Sequence, residues 1–330
     1  MRFSGANVLV TGGLGFVGSR LARALEAEGA QVTILDNGFN GAPASVAGLS
    51  ARIVTGSVTD AALVRALVQP ADLVFHLAAR SIIQSMKSPM ADIEANLSGT
   101  LQVLAALKER PAGGCRLIYT SSASVYGNAR HLPAGEEEPY SLLTPYAASK
   151  LAGEHFCETF YEAYGVPSAI LRYSNVYGPG QTARNPYCGV LGLFIERALR
   201  GEPLLIHGDG EQTRDFTYVD DAVEATLLAA LAPAAVGEVF NVGTGTEVSL
   251  NNVAQLIREA TGSAGSIQHV PRRDIDTIRR RAVQIEKARR RLRWSPKVSL
   301  PEGISRTVEA YRGEASTRAL PEVSLAEGST

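Results

Sequence analysis

Short apolar runs alternate with longer segments whose apolar positions recur every three to four residues, the signature of strands alternating with helices. Ala6 to Thr11 is a continuous apolar run, as a strand buried on both faces should be. A glycine-rich turn follows at once, Gly12-Gly13-Leu14-Gly15-Phe16-Val17-Gly18, and an amphipathic helix continues to about Glu28. Gln31 to Leu35 reads as the next strand and ends in Asp36-Asn37. Arg52 to Thr55 is a strand whose turn, Gly56-Ser57-Val58-Thr59-Asp60, leads into a helix to about Val68. Asp72 to His76 is another strand, followed by Leu77-Ala78-Ala79. One long helix is expected over about 89 to 110, carrying Asn96, and then a strand over Cys115 to Thr120 that ends in Ser121-Ser122-Ala123-Ser124-Val125-Tyr126-Gly127. A second long helix opens at Thr144-Pro145 and runs to about Tyr164. Pro167 to Arg172 is a strand leading to Tyr173-Ser174-Asn175-Val176-Tyr177-Gly178-Pro179.

Beyond this point the rhythm changes. The pattern predicts a loop over 180–190, a helix from Val190 to Arg200, and a turn-rich stretch over 208–216 that ends in a strand. A helix from Asp220-Asp221 to about Leu231, a strand over Glu238 to Val242 and a helix capped by Ser249 complete it. Residues 313–330 read as a disordered polar tail. Strand and helix in strict alternation predict an α/β fold, a Rossmann-type doubly wound parallel sheet.

Composition narrows the class. Of 330 residues, 45% are apolar and 20% charged, ordinary for a soluble globular protein. A net charge of -1 points to neither nucleic acid nor membrane. No apolar run is long enough to span a bilayer, and no signal peptide is visible. Three scattered cysteines, Cys115, Cys157 and Cys188, lack metal-ligand spacing and fit a reducing cytoplasm. Residues 272–293 are strongly basic, but interspersed acids favour a solvated helix face plus a few phosphate-binding arginines over a nucleic-acid patch.

Two stretches carry candidate chemistry. Glycines at 12, 15 and 18 permit a tight turn, close approach of a pyrophosphate, and close helix–strand packing, with the helix N-terminus facing the phosphates. Asp36 stands where a carboxylate meets the ribose hydroxyls, and no Arg or Lys directly follows it, which favours NAD over NADP. In Thr144-Pro145-Tyr146-Ala147-Ala148-Ser149-Lys150, Tyr146 and Lys150 share one helix face. A nearby ammonium lowers the pKa of a phenol, so the pair reads as a preorganised base. His76, alone at a strand end, reads as structural.

Taken together, these motifs resemble the extended short-chain dehydrogenase/reductase family, and within it the nucleotide-sugar 4-epimerases of the UDP-glucose 4-epimerase type. The likeness spans roughly residues 5 to 312 and also rests on R-Y-S-N-V-Y-G-P at 172–179 and G-D-G-E-Q-T-R-D-F at 208–216. It implies an NAD-binding domain over 1–177 and 216–248, and a nucleotide-sugar domain over 178–215 and 249–312. It implies Tyr146 as base, Lys150 on the nicotinamide ribose, and Ser122 on the sugar 4-oxygen. NAD would lie against Gly12, Gly15, Phe16, Val17, Gly18, Asp36, Asn37, Ser57, Val58, Leu77, Ala78, Ala79, Asn96 and Tyr173. The UDP-sugar would meet Ser122, Ser124, Asn175, Val190, Arg214 and Arg273. A homodimer through a four-helix bundle is expected, with Leu101, Leu104, Phe156 and Phe160 offering apolar surface beyond one core face.

The expected activity is NAD-dependent 4-epimerisation of a UDP-sugar. The alternatives are dehydratase, decarboxylase or reductase chemistry on the same class of substrate, or a non-catalytic NAD-binding regulator. Related 4,6-dehydratases carry an Asp-Glu pair after the residue matching Ser122, whereas this chain has Ala123 and Ser124 there. Arg279 to Arg281 fall near the residue that limits sugar size in epimerases, and their charge would suit an acidic sugar.

Overall fold

A computed structural model describes residues 1–111, 113–181, 189–273 and 277–318, with side chains through Gly313. Seven parallel strands form the central sheet: β1 (Asn7–Thr11), β2 (Gln31–Asp36), β3 (Arg52–Thr55), β4 (Leu73–His76), β5 (Arg116–Ser122), β6 (Ser168–Tyr173) and β11 (Glu238–Val242). Their spatial order is β11-β6-β5-β4-β1-β2-β3, so the chain reverses direction across the sheet beside β1. Such a switch point opens a crevice at the carboxyl ends of the strands. The β3 edge is largely exposed, whereas β1, β5 and β6 are buried on both faces, as their apolar runs require.

Helices α1 (Phe16–Ala27) and α2 (Ala61–Val68) cross over between early strands, and α6 (Pro145–Tyr164) connects β5 to β6. Leu9, Leu35, Val74 and Leu117 face one helical layer, and Val8, Ile34, Phe75 and Ile118 face the other. Full burial of each side chain of this size contributes about 1.5–3 kcal/mol. Helix α6 shows why its sequence folds as it does. The Thr144 hydroxyl accepts from Ala147 N, Pro145 occupies the first turn, and Gly165 ends the helix at φ 68°.

The single helix expected over 89–110 is broken. A helix α3 (Ile82–Lys87) precedes it, Ser88 leaves helical geometry ahead of Pro89, and α4 (Pro89–Asp92) begins afresh. A π-helical turn over Ile93–Ser98 then feeds α5 (Gly99–Lys108). Proline at 89 cannot continue the preceding helix. The π turn directs Asn96 inward, where its amide donates to Asp92 and Ser149. Leu104 is fully buried in the core between α2, α5 and the sheet, so it offers no outward surface. Leu101 and Phe160 are half-buried, and Phe156 is exposed.

The remaining chain builds a second body. Strand β7 (Asn175–Tyr177) pairs with β10 (Phe216–Tyr218), β8 (Leu204–His207) with β13 (Ile267–Val270), and β9 (Thr213–Arg214) with β12 (Val248–Ser249). Helices α7 (Val190–Leu199), α9 (Leu250–Thr261) and α11 (Leu300–Arg318) pack around Leu191, Ile195, Leu204, Val253 and Ile304. Helix α8 (Val219–Leu231) returns to the central sheet, and α10 (Glu286–Leu292) lies against β11. Helix α11 runs on to Arg318, past the tail boundary expected at Arg312, because no proline interrupts it after its first turn. Most of the 180–190 loop and Cys188 lie outside the described residues.

Candidate active site

The crevice beside β1 is lined by Gly12, Gly15, Asp36, Asn37, Ser57, Val58, Leu77, Ala78 and Ala79. Gly12 has φ +72°, and a Cβ there would fall 2.7 Å from Ala78 N. A Cβ on Gly18 would fall 2.2 Å from the Gly12 carbonyl, so this glycine is required for the close contact of turn and helix. Gly15 starts α1 and Phe16 and Val17 lie in its first turn. The Asp36 carboxylate accepts from Leu14 N at 3.0 Å and Gly38 N at 2.8 Å, which fixes it at the rim of the crevice. This chemistry fits a dinucleotide: free N–H groups at a helix start, small residues along the floor, and a carboxylate one strand away.

Two of the expected cofactor residues are otherwise engaged. The Asn96 carboxamide accepts from Arg80 N and donates to Asp92 and Ser149, so it orders the crevice wall from within. The Tyr173 hydroxyl is bonded to Thr226. His76 is buried between Thr11 Oγ1 (2.7 Å) and Thr100 Oγ1 (3.0 Å). Thr100 donates to Asn96 O, so His76 Nε2 carries the proton and the ring is neutral. Burial, then the Lys150 charge, push its pKa down to about 3, in keeping with a structural role.

At the carboxyl end of β5, Ser122 opens a short 3-10 turn and accepts from Ser124 N. Tyr146 and Lys150 approach from α6. Lys150 is buried and its ammonium donates to the Thr120 carbonyl at 2.8 Å. Burial lowers its pKa to about 8, against the opposing pull of Asp92, Glu154 and Cys157. The expected lowering of the Tyr146 pKa by Lys150 does not hold. Burial, followed by the negative charge of Asp92, raises the phenol to about 12, and the groups that pull it back are Ser122 and Arg281. The ammonium is directed at Thr120, and Arg281, from a different part of the chain, also acts on the phenol.

Ser124 Oγ, Asn175 Oδ1 and Arg281 Nε are shielded from solvent and lack a hydrogen-bond partner. Val190 begins α7, and Arg214 on β9 donates to the Thr213 carbonyl. Arg273 is exposed at the outer margin. The three arginines at 279–281 do not act together. Arg279 pairs with Asp209 and Arg280 with Glu247, both at the surface, and Arg281 alone turns inward. Of the basic side chains of 286–293, Arg289, Arg290, Arg291 and Arg293 are exposed, as expected, while Lys287 and Arg291 pair with Glu238 and Arg289 with Glu286. Asp92, beside Lys150 and Tyr146, was missed by sequence reasoning; only its helical spacing from Asn96 could have signalled it. Among the described residues no cluster of His, Cys, Asp or Glu suits a metal, and no helix is long and apolar enough to cross a membrane.

Several known proteins are similar to this chain in sequence and fold. The model of the NAD dependent epimerase/dehydratase family matches residues 8–243. The chain is 37% identical to the UDP-N-acetyl-alpha-D-glucosaminuronate decarboxylase of Bacillus cytotoxicus, covering 92% of this chain and 97% of that protein. Its fold is similar to the UDP-glucose 4-epimerase of Thermotoga maritima solved with UDP-glucose, with TM-score 0.89, 36% identity, and coverage of 94% and 99%. It is also similar to the Thermus thermophilus UDP-glucose 4-epimerase solved with NAD, with TM-score 0.85, 35% identity, and coverage of 93% and 99%.

Proposed function

The chain belongs to the NAD dependent epimerase/dehydratase family, and from that premise we propose that it is a UDP-sugar 4-epimerase acting through a transient 4-keto sugar. The observation that carries this reading is the convergence of Ser122, Tyr146 and Lys150 at the sheet edge, beside a crevice suited to NAD.

Bound NAD supplies a hydride acceptor at C4 that returns the hydride later. The protein's residues do the rest. Tyr146 takes the proton of the sugar 4-hydroxyl and gives it back after inversion, a role worth about 10²- to 10⁴-fold. Ser122 hydrogen-bonds the 4-oxygen and keeps it in line with the phenol. Lys150 holds the nicotinamide ribose and keeps a positive charge near the reacting oxygen. Asn175 and Arg214 hold the diphosphate, with Arg273 at the margin, while the ketone turns over and presents its other face. Guanidinium groups suit the diphosphate because they donate two parallel hydrogen bonds.

A second reading, decarboxylation of a UDP-uronic acid, is favoured by the likeness to the Bacillus cytotoxicus protein. There the 4-ketone lies β to the C5 carboxylate, carbon dioxide leaves, and its electron pair enters the ketone as an enolate. Dehydration is disfavoured because Ala123 and Ser124 supply no acid–base pair next to Ser122.

We also propose two units, 1–177 with 216–248 and 178–215 with 249–312, supported by the separate apolar core around Leu191 and Ile304. A cytoplasmic homodimer is supported by the unpaired, buried Cys115 and Cys157 and by exposed Ile93, Phe156 and Tyr164. Light scattering tests the dimer, and a monomer at micromolar concentration would contradict it. The function is tested by mixing protein with UDP-sugars and following product by NMR and reduced nicotinamide by absorbance. C4-inverted product without net reduction supports it; a pentose product selects the second reading.

A further inference from the structure

At residue 215 the chain changes partner strands. Strand β9 ends at Arg214, which pairs with Val248 of β12, and β10 begins at Phe216, which pairs with Asn175 of β7. Asp215 stands between them, fully buried. Its carboxylate gathers donors from two further stretches of chain. Oδ1 accepts from Thr244 N at 2.8 Å and from the Thr244 hydroxyl at 2.7 Å. Oδ2 accepts from Gly245 N at 3.1 Å and from Val283 N at 3.3 Å. The backbone carbonyl of Asp215 accepts from Asn175 N at 3.0 Å. A Cβ on Gly243 would fall 2.6 Å from Oδ2, so the carboxylate reaches this place only beside a glycine.

A carboxylate has about four lone-pair sites, and here each takes a donor from the protein's own chain. Asp215 therefore keeps no acceptor for a ligand. Burial pushes its pKa up, against the pull of these hydrogen bonds. Burying a carboxylate is costly unless it is fully hydrogen-bonded, and bonds to a charge are about twice as strong as neutral ones. The result is one rigid junction of three stretches. Arg214 precedes it in the chain, Asn175 is bonded to its backbone, and Val283 follows Arg281 by two residues. Neighbouring backbone bonds extend the junction, from Thr213 N to the Arg279 carbonyl and from Ala134 N to the Ala282 carbonyl.

We propose that Asp215 is a positioning residue of the nucleotide-sugar site: without touching substrate, its carboxylate pins the junction that sets Asn175 and Arg214 side by side for a nucleoside diphosphate. This rests on the reading of those two residues as diphosphate ligands. The dinucleotide crevice is built from residues 12–95, on other strands, and does not depend on this junction.

The test compares NAD-loaded wild type, Asp215→Asn and Thr244→Val by calorimetric affinity for UDP and by the NAD that each retains after dialysis. Asp215→Asn keeps the size of the side chain but turns one acceptor into a donor. Thr244→Val keeps its shape and removes one of the four bonds. UDP affinity is expected to fall about tenfold to a hundredfold in Asp215→Asn and about threefold to tenfold in Thr244→Val, with NAD retained as in wild type. A parallel loss of UDP and NAD would mean that Asp215 supports the fold at large and would overturn the proposal. Unchanged UDP affinity would overturn it as well, even with a lowered unfolding temperature, because the role would then be structural only. If Asp215→Asn does not fold, Thr244→Val decides by the same readings. A wild type that holds NAD but does not bind UDP would refute the nucleotide-sugar reading and the proposal with it, whereas unaltered variants of a UDP-binding wild type would refute the role of Asp215 alone.

Discussion

Helix α6 carries two polar clusters, one complete and one open. Toward its middle, Glu154 forms a fully buried ion pair with Arg172 at 2.6 Å. Every donor of Arg172 is used: Nε and Nη2 on Glu154, Nη1 on Tyr126 and the Glu136 carbonyl, and Nη2 also on Tyr140. Ser121 donates to the same carboxylate. Burial alone works against the charge, yet Glu154 and then Tyr126 raise the Arg172 pKa above its ordinary value. One turn earlier lie Tyr146 and Lys150, where Asp92 and Arg281 act on the phenol; Ser124 Oγ, Asn175 Oδ1 and Arg281 Nε are shut from solvent without a partner. The difference teaches how to tell a structural charge from a working one. The first cluster closes on itself and ties β5, β6 and α6 together; the second leaves polar atoms for the proposed substrate to meet.

The sharpest way to break this contrast is to remove one atom from the open cluster. Tyr146→Phe should lower turnover about 10²- to 10⁴-fold while the fold and UDP-sugar affinity persist, because only a hydroxyl is lost. Steady-state rates with a binding control check this, and a variant keeping a tenth of the rate would move the base elsewhere. In the closed cluster the same kind of cut should fall on stability. Arg172→Met strands Glu154 in the interior, at a cost of about 3–5 kcal/mol. Denaturant titration measures that loss, and a change under about 1 kcal/mol would mean that the network is not structural.

Part of this contrast was legible in the sequence. The glycine turn, Asp36 and the Tyr146/Lys150 pair are local signals, each fixed by spacing within one or two elements: Gly12, Gly15 and Asp36 line one crevice, and Tyr146 and Lys150 share helix α6. What stayed hidden depends on distant contacts. Glu154 and Arg172 meet only because β6 lies beside β5. Strands β8 and β13 pair across the whole of residues 208–266 and carry no alternating pattern strong enough to announce them. Three consecutive arginines look alike in sequence, and only the hydrogen bonds of Thr213 and Ala134 decide that Arg281 turns inward. The π turn before α5 likewise answers to Asn96, whose partner Ser149 lies on α6.

Acid should expose a third closed site. His76 is held neutral with a pKa near 3 in the folded chain, against an ordinary 6.5. Between these values the unfolded chain takes up a proton that the folded chain refuses. Stability from this site is therefore complete above about pH 6.5 and is lost as pH falls toward 3, at up to about 1.4 kcal/mol per pH unit. The stability difference between wild type and His76→Gln should shrink over that window, and a constant difference would contradict the assignment.

The smallest expected effect completes the comparison. Arg281→Leu should leave stability within about 1 kcal/mol of wild type, or raise it, since it removes an unpaired charge beside buried apolar neighbours. A loss as large as that of Arg172→Met, seen in thermal unfolding, would show that Arg281 has a structural partner after all.

In the proposed mechanism C4 is oxidised and re-reduced within one site, with Tyr146 moving only the proton of the 4-oxygen. It is tested most directly by turning over a UDP-sugar carrying deuterium at C4 and reading the product by NMR. The account predicts that the inverted product keeps its deuterium at C4, with no exchange into solvent at any ring carbon. Loss of the label to water, or inversion with hydrogen exchange at C3 or C5 instead, would contradict it.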